Sequence, residues 1–471
     1  MKRRILRGVL IFLVLLSFSS EIYAIENEVG ASFRLRQEIW DNVVSLGTAR
    51  DAQPDRNFFR FRVQLWDNLK FNNNLGAYLR ITTEPKYFSG PYRLPLDYNG
   101  KEFTNRKRFD QDEIVIDNLY IDIKKPFDLP LNFRFGRQDF LGKDMYGEGF
   151  LILDGTPGDG SRTFYFNALK ASVLIAEGHS VDIVYVSDPK TDQYLPSIHP
   201  AYYDREDRGR LYIDHKKRLT ASNERGFWIY GRHKIVEWLN LEPYYIYKKE
   251  KEYIGIAEKY INTFGMRAVF KISDFSLRGE LAKQTGKDET NDKKIRGLGG
   301  YIFAGYDFKN CPLTPTLEAG YVYLSGDNQE TKNKDEGFNP LFSRAPQWNE
   351  LLIYTLVPET SGNGGPIPGY WTNIKAIVTK LKLNPLKDFG ITLSYQHFWA
   401  DERTNITKGT YKDMFSNNGK NRGDLWAIIG NYKFNKNLDG MLQIEYFEPG
   451  NFYSDKTKSA AFIRWQLQYR L

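Results

Sequence analysis

The chain ends on a clean alternation: Ala461, Ile463, Trp465, Leu467, Tyr469 and Leu471 interleave with Phe462, Arg464, Gln466, Gln468 and Arg470. Successive side chains of a strand point to opposite faces, so this segment has one apolar, aromatic face and one polar face with two arginines. A strand with lipid outside and water inside has this form. The same period of two recurs upstream. It is clearest over residues 29–40, 58–66, 75–84, 119–124, 131–138, 169–175, 277–284, 317–325, 391–399, 426–434 and 442–447. It is weaker over 181–186, 227–233, 239–248, 264–272, 298–308 and 374–383. With the terminal segment this gives about 18 strands, each of about 10 residues, enough for a tilted bilayer crossing.

The connections alternate in length. Short turns at 72–74, 177–179, 384–388 and 435–437 alternate with long stretches near 83–113, 138–168, 187–225, 326–372 and 400–423. Short periplasmic turns and long extracellular loops follow this rule in outer-membrane barrels, and an even strand number returns both termini to the periplasmic side. Closure also removes the sheet edges that would otherwise aggregate. The expected fold is all-β: a single transmembrane antiparallel barrel of about 18 strands in the outer membrane.

Residues 1–24 carry a basic head (Lys2, Arg3, Arg4, Arg7), an apolar run over 9–16 and a small-residue exit at Ala24, which predicts a cleaved signal peptide. The barrel is expected over 25–471, with no room for a plug domain before its first strand. Composition fits. Charged residues make up 26% and aromatics 15%, with a mean hydropathy of −0.53; lipid sees only half of each strand and aromatic girdles mark both interfaces. The formal net charge is +8, of which the signal holds four positive charges and one negative, leaving +5. No basic cluster or recognition motif accompanies it, so nucleic acid is not an expected partner. The single Cys311 excludes an intrachain disulfide.

If apolar positions face lipid, the alternate ones face the lumen. That puts Arg34, Arg36 and Glu38 inward on the first strand, Arg60 and Arg62 on the second, and Tyr78 and Arg80 on the third. Tyr120, Arg134, Arg278, Glu280 and Arg464 follow from the same rule. Arginine on this face either pairs with carboxylates such as Glu38, Glu280, Glu318, Glu445 or Asp122 to stiffen the wall, or stands in a ring that attracts anions. Its planar, permanently charged fork suits carboxylates and phosphates. Inward aromatics such as Tyr78 and Tyr120 offer faces for sugar rings.

Three groups of residues resemble the alginate export family of outer-membrane barrels. They are Arg134-Phe135-Gly136-Arg137-Gln138 with Tyr146-Gly147-Glu148-Gly149 and Ser161-Arg162-Thr163-Phe164; Ser325-Gly326-Asp327-Asn328 with Gly337-Phe338-Asn339-Pro340-Leu341-Phe342; and the final hairpin from Tyr446 to Leu467. The resemblance implies a monomeric 18-stranded barrel whose arginine-rich constriction passes an anionic exopolysaccharide outward, with loops and turns as gates. It also points to Arg137 and Arg464 as pore residues. Strict alternation sets Arg137 on the lipid side with Phe135, which calls for a bulge near Gly136 or a position above the membrane rim. The chain also departs from such barrels by ending in Leu471 rather than Phe.

No catalytic constellation can be assigned to the five histidines, so an enzyme is not expected, nor any cofactor or metal. His199, His215 and His233 are grouped around one long loop. The stretch Asp204-Arg205-Glu206-Asp207 with Asp214 and His215 reads as a solvated, salt-bridged loop, since its spacing matches no defined cation site. Long loops such as Gly362-Asn363-Gly364-Gly365-Pro366 are conformationally loose, and one long loop, which the sequence does not single out, is expected to fold inward and narrow the pore. Two uses of the barrel follow. Export of an acidic polysaccharide predicts a wide, continuously basic lumen and a periplasmic partner that feeds the chain. Uptake of small anionic or sugar solutes predicts a loop-constricted eyelet.

Overall fold

The computed structural model describes residues 26–471 apart from 50–54, 91–108, 111–113, 154–164, 191, 201–210, 215–222, 253–256, 344–345 and 361–368. The signal-peptide segment, Ser161–Phe164, the Asp204–Asp207 stretch and the Gly362–Pro366 loop therefore lie outside the described residues.

Eighteen long strands form the wall: β1 Glu26–Asp41, β2 Arg56–Lys70, β3 Leu75–Thr83, β4 Ile114–Lys124, β5 Leu131–Gln138, β6 Phe166–Ala176, β7 His179–Asp188, β8 Glu224–Val236, β9 Leu239–Glu250, β10 Lys259–Ile272, β11 Phe275–Asp288, β12 Leu298–Asp307, β13 Thr316–Leu324, β14 Ile374–Leu386, β15 Phe389–Trp399, β16 Asn421–Lys433, β17 Leu438–Pro449 and β18 Ala460–Arg470. Each pairs antiparallel with its sequence neighbours, and β18 pairs with β1 from Ser32↔Arg470 to Asp41↔Ala461. The barrel is closed, so every central backbone group of the wall has a partner without water, as a bilayer requires. Connections at one end are tight, as between Ala176 and His179 or Val236 and Leu239, while those at the other run up to residues 325–373.

Outward side chains form an apolar band between two aromatic levels. Trp238 and Phe270, Tyr306 and Phe308, and Tyr432 and Phe434 pair at the tight-turn end, with ring centroids 4.7–5.2 Å apart. Tyr245 and Phe264, Tyr395 and Trp426, and Trp426 and Tyr446 do so toward the long-loop end at 4.9–6.1 Å. These levels match the two membrane interfaces.

The buried side chains lie inside. Two long loops enter the lumen and pack on the inner wall. From the loop after β5, Phe140 packs tilted on Phe166 and Tyr146 edge-on against Trp228, and Phe150 lies 5.3 Å from Phe338 of the loop after β13. From that second loop, Phe342 meets Trp228, and a short helix, α1 Leu351–Thr355, buries Leu351, Leu352 and Ile353. The loops also pair with each other: Phe342 N–H donates to Leu151 O at 3.0 Å, and Gln347 Nε2 to Gly149 O at 2.8 Å. Gly147 (φ +56°) and Gly149 (φ +77°) turn the first loop back on itself in a conformation disfavoured for residues with a Cβ.

Candidate functional site: the lumen wall

Register decides which charges meet. The β1–β2 pairing sets Arg34 opposite Arg62 and Arg36 opposite Arg60, while β18 sets Arg464 opposite Glu38. Like charges directly opposite one another repel. Two buried carboxylates offset part of this. Glu38 accepts from Arg464 Nη2 at 2.8 Å and lies 3.4 Å from Arg36 and 3.5 Å from Arg60. Glu84, just beyond β3, bonds Arg34 and takes Arg60 Nε at 2.5 Å. Arg36 also donates to Gln466 Oε1 at 2.7 and 3.0 Å, and Arg464 bonds Glu350 of the inward loop. Arg62 lies in the same field, close to Glu84, Arg36 and Arg60. Among the described residues, the five guanidinium groups of this patch gather around Glu38, Glu84 and Glu350.

Elsewhere the arginines are matched. Arg80 holds Asp117 and Asp139 at 2.9 and 2.7 Å. Arg134 holds Asp122 at 2.7 Å, reaches Asp144 at 3.2 Å, and lies over Tyr120 at 4.1 Å; Tyr120 in turn stacks on Tyr78 at 5.2 Å. Arg278 does not pair with Glu280. It takes Glu148 at 2.6 Å and Glu318 at 2.5 Å, whereas Glu280 accepts the hydroxyls of Tyr244 and Tyr301 at 2.8 and 3.0 Å. Glu445 likewise serves no arginine; it accepts the backbone N–H groups of Glu350 and Leu351 at 2.7–3.0 Å, fixing the start of α1 in the lumen. In the first inward loop, burial raises the Asp144 carboxyl pKa, but Lys170 and Arg134 outweigh it and hold the group below its ordinary value.

Arg137 is buried like Arg34, Arg60 and Arg464, but it anchors loops and stands outside their patch. Its side chain is 1% exposed, pairs with Asp192 at 2.8 Å and lies 4.6 Å from the Tyr165 ring. The irregularity is at Gly136, φ +130°, where a Cβ would come within 2.2 Å of Leu119 O. Arg137 thus ties the loops after β5 and β7 to the strand ends and offers no guanidinium surface to a solute. The histidines also differ from the expected grouping: His233 lies at the tight-turn end, its Nδ1 3.3 Å from that of His179.

Sequence reading did not single out Lys170, Arg232 or Arg267. Arg232 pairs with Asp182 at 2.7 Å, Arg267 with Glu242 at 2.9 Å, and Lys170 with Asp144 at 3.3 Å. The alternation of Met266 and Ala268 about Arg267, or of Leu169 and Ala171 about Lys170, was the available signal.

The fold has known counterparts. Pseudomonas aeruginosa OccK2 (OpdF), solved in complex with glucuronate, matches at TM-score 0.54 and 10% identity, covering 95% of this chain and 98% of its own. P. aeruginosa OpdK with vanillate matches at TM-score 0.54 and 10% identity, covering 94% and 98%. Acinetobacter baumannii OccAB4 matches at 0.55 and 11%, covering 95% and 98%. At these identities the likeness is one of fold. No curated protein matches the chain. The alginate export family profile matches residues 213–466, a segment that includes the Gly337–Phe342 part of the second inward loop and the final hairpin. With its closed 18-stranded wall, this chain belongs to the alginate export family and is an outer-membrane channel protein.

Proposed function

We propose that the channel conducts carboxylate-bearing solutes along the arginine patch of β1, β2 and β18, and that its cargo is a uronate-type anionic polysaccharide passing outward. The observation that carries this reading is the register that sets Arg34 opposite Arg62 and Arg36 opposite Arg60, with Arg464 beside them on β18. Arg34, Arg60 and Arg464 are buried and act through their field, while half-buried Arg62 offers the planar fork that suits a uronate carboxylate. Family membership supports export. A periplasmic partner that delivers the polymer belongs to this reading, as does a monomeric barrel.

One observation favours a second use, uptake of small acidic sugars or other small anions. Two loops lie across the lumen and bond to each other, which narrows the path. The glucuronate and vanillate held by two barrels of this fold are small carboxylates.

Single-channel recording in a planar bilayer with uronic-acid oligomers of increasing length separates the two. Block that strengthens with oligomer length supports a polymer conduit. Passage of the monosaccharide without block by longer oligomers supports small-solute uptake, and no response to any uronate contradicts both.

A further inference from the structure

The lipid-facing surface is not uniform in charge. Antiparallel register from β8 to β11, continued by the short strand Lys293–Ile295, sets Arg225, Lys249, Tyr260, Lys287 and Lys294 side by side. Their parity is the outward one: Arg225 shares its face with exposed Phe227 and Ile229, and Lys287 with Lys283 and Leu281. Two rows nearer the bilayer centre, Lys283 stands between Phe264 of β10 and Leu298 of β12, beside Leu281, which is 59% exposed.

Cations opposed in this way need anions. Glu258 pairs with Lys249 at 3.3 Å, and Glu289 and Asp292 with Lys287 at 3.3 and 3.0 Å. Among the described residues, Arg225, Lys283 and Lys294 have no carboxylate within 4 Å. Farther round the wall, at β14–β16, the same level carries paired charge: Lys375 is paired with Asp401 at 2.8 Å, and Asp424 takes Tyr395 Oη at 2.6 Å.

Exposed Tyr185, Phe227 and Ile229 lie just below the row, which places it at the headgroup level of the outer leaflet. A lysine there lays its aliphatic stem along the apolar wall and extends its ammonium upward. The row crosses four strand spacings, about 19 Å. That is wider than one phosphodiester headgroup and suits a sugar headgroup bearing more than one phosphate. We propose that the outward face of β8–β12 binds a multiply phosphorylated glycolipid of the outer leaflet, with Arg225, Lys283 and Lys294 as its phosphate ligands. Phosphate oxygens accept charge-assisted bonds from such groups, and anionic headgroups draw basic patches to a membrane surface.

The test is native mass spectrometry of the detergent-purified barrel, titrated with bisphosphorylated lipid A, its dephosphorylated form and phosphatidylglycerol. The bisphosphorylated lipid should bind tightest. The variant Arg225→Gln/Lys283→Gln/Lys294→Gln should bind it at least about tenfold more weakly, Lys375→Gln within about twofold of the parent, and conductance should be unchanged. Heat-modifiable migration checks folding; if the triple variant does not fold, Lys283→Gln alone should weaken binding at least about threefold. Equal binding of the dephosphorylated lipid, equal binding of phosphatidylglycerol, or a folded variant with undiminished affinity would overturn the proposal.

Discussion

Two sides of the lumen obey the same alternation and reach different electrostatic ends. Across β8–β13 the inward arginines sit apart, each between carboxylates: Arg232 on Asp182, Arg267 on Glu242 and Glu148, Arg278 on Glu318 and Glu148. Across β18, β1 and β2 the arginines face one another and share Glu38 and Glu84. The first pattern stiffens a wall, since each guanidinium lies among carboxylates and far from its like. The second sets guanidinium groups opposite one another, the arrangement through which the proposed channel would attract anions. Arginine content alone therefore says little about selectivity, and the placement of the arginines relative to one another, set by register, says more.

The largest effect is expected at Glu38. Glu38→Gln removes the shared anchor of Arg36, Arg60 and Arg464, leaving buried guanidinium groups without it. A loss of about 3 kcal/mol is expected, seen as a lower unfolding temperature of the heat-modifiable band, together with stronger anion preference in folded channels. Next comes Arg36→Gln/Arg62→Gln, expected to lower the anion-to-cation permeability ratio severalfold while the barrel still folds. Arg134→Gln is the matched control. It removes a cation tied to Asp122 and Asp144 and should change that ratio less than the double variant does, measured by reversal potential under the same gradient. Glu445→Gln weakens the hold on the first residues of α1 by about 1–3 kcal/mol, and should appear as more frequent conductance fluctuations with selectivity retained. The smallest change is Tyr301→Phe, which removes one hydroxyl from Glu280 and should cost about 1 kcal/mol in thermal unfolding without altering selectivity.

Much of the wall was legible because lipid and water impose a period of two on every strand. The exceptions have local causes. Reading the fourth strand only from 119 missed its first turn of residues, because the β3–β4 register shifts between Arg80 and Ile81 and the alternation breaks at Asp117 and Asn118. The inward loops were expected without being located. Their apolar residues, Phe140, Phe338, Leu341 and Phe342 among them, pack inside the barrel from irregular backbone and so follow no period. An apolar run such as Leu351, Leu352 and Ile353 within a long polar loop was the signal available. Inward arginines were readable one by one. Their partners were not, since Glu84, Asp139 and Asp144 come from strand ends and loops brought in by tertiary folding.

The central claim is that the shared-carboxylate patch of β1, β2 and β18 sets the ion preference of the channel. The most direct test is the reversal potential of the refolded barrel in a planar bilayer under a salt gradient, for the parent and for Arg36→Gln/Arg62→Gln. An anion-selective parent and a variant shifted toward zero selectivity are expected. A parent without anion preference, or a folded variant with unchanged reversal potential, would contradict it.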